Sequence, residues 1–269
     1  MPSLPAIAFI GAGNMGSAII AGLCSRQQKT DILVCDGVDT IRERHSANGL
    51  RVTTHISDVA SSPIIVLAVK PQGAAEALAA LKPHIGPNHL VISILAGTTT
   101  ANLEAGLTPG VRVIRSMPNT PMAIGQGMVA ICAGAAATDE DMDLAETIFA
   151  SAAAVLRTTE DKMDAITAVS GSGPAYLFRF AEAQVAAALE LGFTESEAQL
   201  LVGQTLAGSI AYLRSQDGFP AAELRQQVTS PGGTTAAALA CLDAANFGQL
   251  IASALTAARD RSIELAAQA

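Results

Sequence analysis

The sequence has no tryptophan, few aromatic residues and no cluster of lysine and arginine among its 269 residues. Aromatic residues make up 3% of the chain and hydrophobic residues 50%, so alanine, leucine, isoleucine and valine must form most of the core. Such small side chains suit either an ordinary alanine-rich core or a closely packed oligomer interface. The formal net charge of −8 argues against a nucleic-acid partner.

Long apolar runs, a basic leader and paired cysteines are also lacking. Glycine, serine or charged residues interrupt the apolar runs well short of the roughly 20 residues that span a bilayer, and residues 1–10 contain no basic segment. We therefore expect a cytoplasmic protein without a membrane partner. The four histidines have no ligand-like neighbours, so no metal site is expected. Four isolated cysteines are predicted to be small buried residues in a reducing compartment: Cys24, Cys35, Cys132 and Cys241.

Short apolar strands alternate with helical segments over the first 159 residues. Continuous apolar strands are typical of a parallel sheet that is buried on both faces. After about Thr159 only helical segments follow. The pattern predicts an α/β domain of the Rossmann type over residues 1–159 and an all-α domain over residues 160–269. The predicted strands are residues 7–10, 32–35, 64–69, 90–95, 111–116 and 127–131 and one near Val155.

A G-x-G-x-x-G pattern follows the first predicted strand and begins a helix. In a dinucleotide-binding turn, Gly11 permits the tight bend, Gly13 lets a pyrophosphate approach the backbone, and Gly16 lets the helix lie close to the sheet. The helix N-terminus adds unpaired N–H groups and a positive dipole end. A turn that needs glycine only for its own geometry is the alternative, and the strand–turn–helix context favours the dinucleotide site.

The end of the second strand bears on the choice of dinucleotide. Asp36 lies there, 20 residues after Gly16, where a carboxylate binds the adenosine ribose and repels a 2′-phosphate, which favours NAD over NADP. Asp36 suits a simple turn equally well, because Asp-Gly starts turns readily. Arg42 and Arg44 could bind a phosphate, although arginines on a helix are more often solvated.

Three further loops follow predicted strands, where open parallel sheets bind their ligands. Lys70, in the loop 68–71, either attracts an anionic group or is an ordinary exposed lysine. Ala96 and Gly97 follow the next strand. Two prolines surround Asn119, which either fixes its amide for contact with a carboxamide ring or merely stiffens the loop.

Two stretches in the helical half combine glycine and proline with hydroxyl side chains before a helix. Residues 170–174 are Ser-Gly-Ser-Gly-Pro, and residues 230–235 are Ser-Pro-Gly-Gly-Thr-Thr. Uncharged N–H groups and hydroxyls at a helix start suit a small carboxylate. The alternative, ordinary caps between packed helices, explains one such turn more easily than two.

These stretches carry a resemblance to a known family. The segments DAITAVSGSGPAYLF (164–178) and VTSPGGTT (228–235) closely resemble the signatures of the Δ1-pyrroline-5-carboxylate reductase family, and FIGAGNMGSAI, AVKP and MPNTP resemble its other motifs in the same order. The resemblance covers essentially the whole chain. It implies NADPH- or NADH-dependent reduction of pyrroline-5-carboxylate to L-proline, the last step of proline biosynthesis. It also implies a helical dimerisation domain, a homodimer or ring of dimers, and an active site completed across the dimer.

The resemblance assigns roles to two sets of residues. It implies substrate contacts at Ser170, Gly171, Ser230, Gly232, Gly233, Thr234 and Thr235, and Thr235 is the candidate catalytic residue because it lies near the ring nitrogen. It implies cofactor contacts at Gly11, Gly13, Asn14, Met15, Gly16, Ala68, Val69, Lys70, Pro71, Ala96 and Asn119. Many members have a small polar residue in place of Asp36, and some have asparagine in place of Ile56. Both departures weaken a site for the 2′-phosphate of NADPH.

Two other classes compete with this interpretation. A related imine or β-hydroxy acid dehydrogenase is the nearer one, but enzymes acting on β-hydroxy acids usually use a lysine of the helical domain as acid/base. No lysine follows Lys162. A dinucleotide-binding sensor without activity would keep the glycine turn but has no need for the two serine–glycine stretches.

Overall fold

The structure, a computed structural model, describes residues 4–25 and 31–267, and within them eight strands form one sheet. The strands are β1 (Ile7–Ile10), β2 (Ile32–Cys35), β3 (Arg51–Thr53), β4 (Ile64–Leu67), β5 (Leu90–Ser93), β6 (Arg112–Pro118), β7 (Gly127–Ala133) and β8 (Ala153–Arg157). Their order across the sheet is β3-β2-β1-β4-β5-β6-β7-β8. All the predicted strands are present, and β3 is an additional edge strand.

The direction of one strand pair differs from the prediction. All neighbouring strands are parallel except β6 and β7, which are antiparallel. The connection over residues 119–126 is shorter than the dozen or so residues that a parallel crossover needs. The prediction of a parallel sheet is therefore wrong for this pair and right for the others.

The apolar strands place their side chains in two separate cores. In β1, Ile7 and Phe9 belong to one hydrophobic cluster, whereas Ala8 and Ile10 belong to another. Because successive side chains of a strand point to opposite faces, the two clusters lie on the two faces of the sheet. Burial on both faces explains why the central strands are continuously apolar.

Helices lie in most connections between the strands and dominate the chain after β8. They are α1 (Asn14–Cys24), α2 (Asp39–Ala47), α3 (Ala74–Leu81), α4 (Thr100–Gly106), α5 (Asp139–Phe149), α6 (Met163–Ile166), α7 (Gly173–Glu190), α8 (Glu195–Arg214), α9 (Ala221–Gln227), α10 (Thr234–Ala244) and α11 (Phe247–Ala267). A capping box of Thr194 with Glu197 closes the N-terminus of α8. The fold class, a Rossmann-type α/β part followed by an all-α part, is confirmed as well.

The chain divides into two compact units. The sheet unit comprises Met1–Ser172 and Thr256–Ala269, and the helical unit comprises Gly173–Leu255. The last residues of α11 therefore belong to the sheet unit. The predicted domain boundary, between residues 159 and 160, stays a prediction.

The stretch over residues 170–174 is not the simple turn that the sequence predicts. After α6 the backbone continues as one π-helical turn, Thr167–Gly171, in which the N–H of Ser172 donates to the carbonyl oxygen of Thr167 at 2.8 Å. The helix widens at Ser170 instead of ending. Such π-helical turns occur frequently at functional sites.

Two of the four cysteines are buried in the structure and two are exposed. Cys35 and Cys132 are buried as predicted, whereas the prediction is wrong for Cys24 and Cys241, which are exposed on α1 and α10.

No single helix in residues 4–25 and 31–267 is long and apolar enough to cross a membrane. The helices α10 and α11 meet those criteria only as a pair, bent by 50° at their junction.

Candidate active site

The predicted glycine turn lies where the strand order of the sheet reverses. From β1 the chain proceeds to β2 and β3 on one side and then to β4, β5 and β6 on the other. Open α/β sheets bind ligands at this switch point, outside the carboxyl ends of the strands. The N–H of Gly11 donates to the Cys35 carbonyl at 2.8 Å, and the N–H of Ala68 donates to the Ile10 carbonyl at 2.8 Å. The loops after β1, β2 and β4 therefore meet at one point.

The three glycines of the turn have three different surroundings. Gly11 has φ +84°, and a Cβ there would lie 2.7 Å from the Ala68 carbonyl oxygen. A Cβ at Gly16 would lie 2.9 Å from the Gly11 carbonyl oxygen. At Gly13, by contrast, a Cβ would meet no atom within 4 Å. Protein packing thus requires two of the glycines, and the open space at the third is where a ligand can approach the backbone.

The first turn of α1 is free to receive an anion. Gly13 is its N-cap and provides no side chain, and the first turn contains no acidic residue. Three other helices, α4, α5 and α8, are closed by a side chain of their N-cap residue, as α5 is by its capping box of Thr138 and Asp141. Unpaired N–H groups at the positive end of a helix bind phosphate, so the turn fits the pyrophosphate of a dinucleotide.

Asp36 binds the glycine turn to the end of β2. Its Oδ2 accepts the N–H of Ala12 at 2.8 Å, and its Oδ1 accepts the N–H of Val38 at 2.9 Å. The second bond forms the turn that Asp-Gly was expected to make, and the first places the carboxylate beside the glycine turn. Each oxygen retains a further acceptor position, so Asp36 remains a predicted contact of the ribose.

The two arginines that follow are not simply solvated. Arg42 donates to the Asp36 carbonyl oxygen at 2.6 Å and pairs with the carboxylate of Asp39. Arg44 donates to the Ala12 carbonyl oxygen at 3.1 Å and to Oγ of Ser17 at 2.6 Å. Both guanidinium groups therefore fasten the loops around the glycine turn.

A buried histidine that the sequence analysis missed lies below the same turn. Nε2 of His45 is 3.1 Å from Oγ of Ser17, which itself donates to the Ala12 carbonyl oxygen at 2.7 Å. Burial and the charge of Arg44 lower the pKa of His45, so its imidazole is neutral at neutral pH. Its position on the inner face of an otherwise polar helix is the signal that could have revealed it.

The remaining predicted cofactor residues lie at the carboxyl ends of β4 and β5. Ala68 and Val69 are half-buried, and Lys70 is exposed. No described residue hydrogen-bonds to the Lys70 ammonium group, which agrees with either interpretation of this side chain. Pro71 begins a 3₁₀ turn. Ala96 is half-buried and precedes Gly97, whose φ is +69°.

Asn119 brings the end of β6 together with the first serine–glycine stretch. Its Nδ2 donates to the carbonyl oxygen of Ser170 at 3.2 Å and to Oγ of Ser170 at 3.4 Å. Its Oδ1 accepts the N–H of Met128 at 2.9 Å. On the same strand, the methyl group of Met117 occupies the place that a Cβ at Gly171 would take. One predicted cofactor residue, Asn119, thus contacts one predicted substrate residue, Ser170, in the sheet unit.

The second serine–glycine stretch forms the predicted turn in the helical unit. The N–H of Gly233 donates to the Ser230 carbonyl oxygen at 3.1 Å, and Gly232 has φ +69°. Gly233 is the N-cap of α10, with no side-chain cap and no acidic residue in the first turn. Thr234 is exposed and Thr235 is half-buried. Among the described residues no side chain or backbone group hydrogen-bonds to either hydroxyl.

A buried ionic cluster on β6 was also not predicted from the sequence. Arg115 is 1% exposed and pairs with Glu160 and, at 3.4 Å, with Asp164. Ser262 of α11 donates to Asp164 at 2.7 Å. Burial and the nearby charge of Glu160 raise the pKa of the Cys132 thiol to about 12. This cluster joins β6, α6 and α11. Within residues 4–25 and 31–267, no group of three side chains could hold a metal ion.

Comparison with known proteins agrees with this geometry. The family profile for pyrroline-5-carboxylate reductase dimerisation matches residues 160–265, and that for NADP oxidoreductase coenzyme F420-dependent matches residues 6–97. The pyrroline-5-carboxylate reductase of Pseudomonas aeruginosa is 38% identical over 99% of this chain and 98% of its own. This chain belongs to the pyrroline-5-carboxylate reductase family. The enzyme of Haemophilus influenzae is also 38% identical, over 96% of this chain and 97% of its own.

Solved structures of pyrroline-5-carboxylate reductases have the same fold. The structure from Coxiella burnetii gives a TM-score of 0.89 at 35% identity, covering 98% of this chain and 99% of its own. The structure from Plasmodium falciparum, which has NADP bound, gives 0.86 at 30% identity, covering 97% and 98%. The prediction of an NAD(P)H-dependent oxidoreductase of the pyrroline-5-carboxylate reductase type is confirmed.

Proposed function

We propose that this protein reduces 1-pyrroline-5-carboxylate to L-proline, the last step of proline biosynthesis, in the cytoplasm. The observation that carries the proposal is the uncapped N-terminus of α1 at the switch point, with open space at Gly13, in a chain of this family. The bound nicotinamide cofactor supplies the hydride that reduces the C=N bond. A direct test incubates the protein with pyrroline-5-carboxylate and NADH or NADPH and follows the near-ultraviolet absorbance. A flat trace with both cofactors contradicts the proposal.

The sheet unit holds the cofactor in this proposal. The backbone N–H groups of the first turn of α1, from Asn14 and Met15 onward, bind the pyrophosphate together with the helix dipole. Asp36 accepts hydrogen bonds from the adenosine ribose while it keeps its bond to Ala12. The loops ending at Lys70, Ala96 and Asn119 border the rest of the cofactor.

The substrate is held by neutral donors. The first turn of α10 offers N–H groups and the hydroxyls of Ser230, Thr234 and Thr235 to the carboxylate. No acidic residue lies in that turn, so nothing there repels the anion. Thr235 hydrogen-bonds the ring nitrogen and fixes the reacting face of the imine, which arrives protonated or takes its proton from water. Holding two reactants at attack distance contributes about 7–11 kcal/mol.

Thr235→Val tests the hydroxyl with a side chain of the same shape. A lost hydrogen bond of about 1.4 kcal/mol corresponds to a tenfold change, so we expect kcat/KM for pyrroline-5-carboxylate to fall about tenfold. Thr205→Val is the control, because Thr205 is an exposed threonine within α8. Unchanged kcat and KM in Thr235→Val would remove this role from the proposal.

Asp36→Ser tests the choice of cofactor. If the carboxylate faces the ribose, its removal relieves the repulsion of a 2′-phosphate, and the ratio of kcat/KM for NADPH to that for NADH should rise at least about tenfold. Asp39→Ser is the matched control, because Asp39 carries the same charge nearby but is 79% exposed and paired with Arg42. Equal cofactor ratios in native protein and Asp36→Ser would exclude Asp36 from the cofactor site.

We also propose that the protein forms a homodimer, which assembles further into a ring of dimers. The helical unit exposes many large apolar side chains, among them Phe178, Leu189, Leu200, Leu201, Leu250 and Ile251. Apolar surface of this extent marks an interaction site, and the family profile that matches this region describes dimerisation. Light scattering of the protein as it elutes from a size-exclusion column measures its mass. A monomer at micromolar concentration contradicts this part of the proposal.

A further inference from the structure

The orientation of the Asn119 amide group follows from its partners. Its Oδ1 lies 2.9 Å from the backbone nitrogen of Met128. A backbone N–H only donates, so the amide oxygen must face Met128 and the amide nitrogen must face Ser170. The opposite orientation would place two donors against each other. The amide nitrogen of Asn119, and not its oxygen, therefore faces Ser170.

This orientation determines what the Ser170 hydroxyl can do. The Asn119 amide nitrogen lies 3.2 Å from the Ser170 carbonyl oxygen and 3.4 Å from its Oγ. The nitrogen has no lone pair to accept with, so Oγ is the acceptor of this contact. The O–H proton of Ser170 is left to point away from Asn119. No described residue accepts a hydrogen bond from it.

The backbone around Ser170 is held by the same strand. Ser170 belongs to the π-helical turn Thr167–Gly171, and the Met117 side chain fills the place of a Cβ at Gly171. Both polar ends of Asn119 are occupied by protein groups. The amide group that one of the two sequence interpretations assigns to a carboxamide ring is therefore engaged by protein groups in this structure.

We propose that Asn119 is a positioning residue that orients the Ser170 hydroxyl as a hydrogen-bond donor to the substrate carboxylate. The proposal rests on the proposed function, since it assigns Ser170 a task within the reduction of pyrroline-5-carboxylate. Asn119 acts through Ser170 and does not bind the cofactor. A carboxylate needs donors, and a serine hydroxyl whose oxygen already accepts from Asn119 offers its proton.

Asn119→Asp tests this role with a side chain of the same size. The new carboxylate still accepts the N–H of Met128, but it has no donor for Ser170 and instead accepts a hydrogen bond from the O–H of Ser170, which then no longer points to the substrate. We expect KM for pyrroline-5-carboxylate to rise at least tenfold and kcat to change less. The dissociation constants of NADH and NADPH, measured by nicotinamide fluorescence without substrate, should stay within twofold of native. Weaker binding of the cofactor with an unchanged KM for pyrroline-5-carboxylate would overturn the proposal and indicate a direct contact between Asn119 and the cofactor.

A double-mutant cycle separates positioning from a general structural effect. In the Ser170→Ala background, Asn119→Asp should raise KM by a smaller factor than in the native background, because the hydroxyl is gone and only the bond to the Ser170 carbonyl oxygen is left to lose. Fully additive effects would overturn the proposal. Ser61→Ala is the control, since Ser61 is exposed and lies before the amino end of β4, away from the switch point, and it should retain native KM. If the native protein fails to reduce pyrroline-5-carboxylate, both proposals are contradicted. If the native protein is active but the effects of the two substitutions on KM are additive, only this proposal is contradicted.

Discussion

Replacing Gly13 by alanine should raise the dissociation constants of NADH and NADPH about a hundredfold and leave the thermal stability of the free protein nearly unchanged. The backbone at Gly13 has φ −63°, which any residue adopts, and a Cβ there meets no protein atom within 4 Å. The new methyl group instead occupies the approach of the pyrophosphate to the helix N-terminus. Two lost hydrogen bonds to a charged group cost about 3 kcal/mol, which is about a hundredfold in affinity.

Two other glycines provide the controls for this variant. Gly86→Ala also adds a methyl group in open space, away from the switch point, and should change neither cofactor affinity nor stability. Gly11→Ala should destabilise the free protein itself, because φ +84° is strained for alanine and its Cβ would overlap the Ala68 carbonyl. Fluorescence titration and thermal unfolding measure the two effects. Native cofactor affinity in Gly13→Ala would show that the pyrophosphate does not lie at this helix end.

The sheet was predictable because its central strands are apolar throughout. Burial on both faces leaves that pattern wherever such a strand lies, so β1, β4 and β5 could be located from composition alone. The direction of a strand leaves no such trace, and the antiparallel pairing of β6 with β7 was missed. The edge strand β3 and the short helix α4 contain too few apolar residues to show a period.

The glycine turn was predictable because two of its glycines serve local geometry. Gly11 and Gly16 are required by contacts within the turn and with Ala68, and the spacing of the motif encodes those contacts. The π-helical turn was not predictable, because glycine and serine suggest a simple turn and the contact of Gly171 with Met117 is tertiary. For Asp36, the bond to Val38 confirms the turn interpretation, and the contact with the ribose stays a prediction.

Arg115 escaped notice because a lone arginine within an apolar strand has no local partner. The residues that neutralise it, Glu160 and Asp164, lie 45 and 49 positions further along the chain. No periodicity connects residues at that separation. Only the fold shows that this charge is buried and paired.

Replacing Arg115 by methionine should lower the free energy of unfolding by about 3–5 kcal/mol, because it leaves partly buried carboxylates without their counter-charge. Methionine fills much of the space of the arginine stem, so packing is largely kept. Arg157→Met is the control. Arg157 is 41% exposed and pairs with Asp143 and Glu146 on the surface, where such pairs contribute about 0–1 kcal/mol. Denaturant unfolding measures both variants, and equal losses would contradict the prediction.

The pH dependence of the Arg115→Met effect identifies its cause. Burial alone would raise the pKa of Glu160, but the hydrogen bond and charge of Arg115 outweigh it and hold that pKa below its ordinary value of 4.5. A carboxyl group with a lowered folded pKa stabilises the protein above its unfolded pKa and loses that contribution as pH falls through the folded value. The gap between native protein and variant should therefore be full at neutral pH and shrink below about pH 4. If the difference in free energy of unfolding between native protein and variant stays constant down to about pH 3, the loss comes from packing. The contact between β6 and α6, which precedes the Ser170 turn, would then not depend on charge.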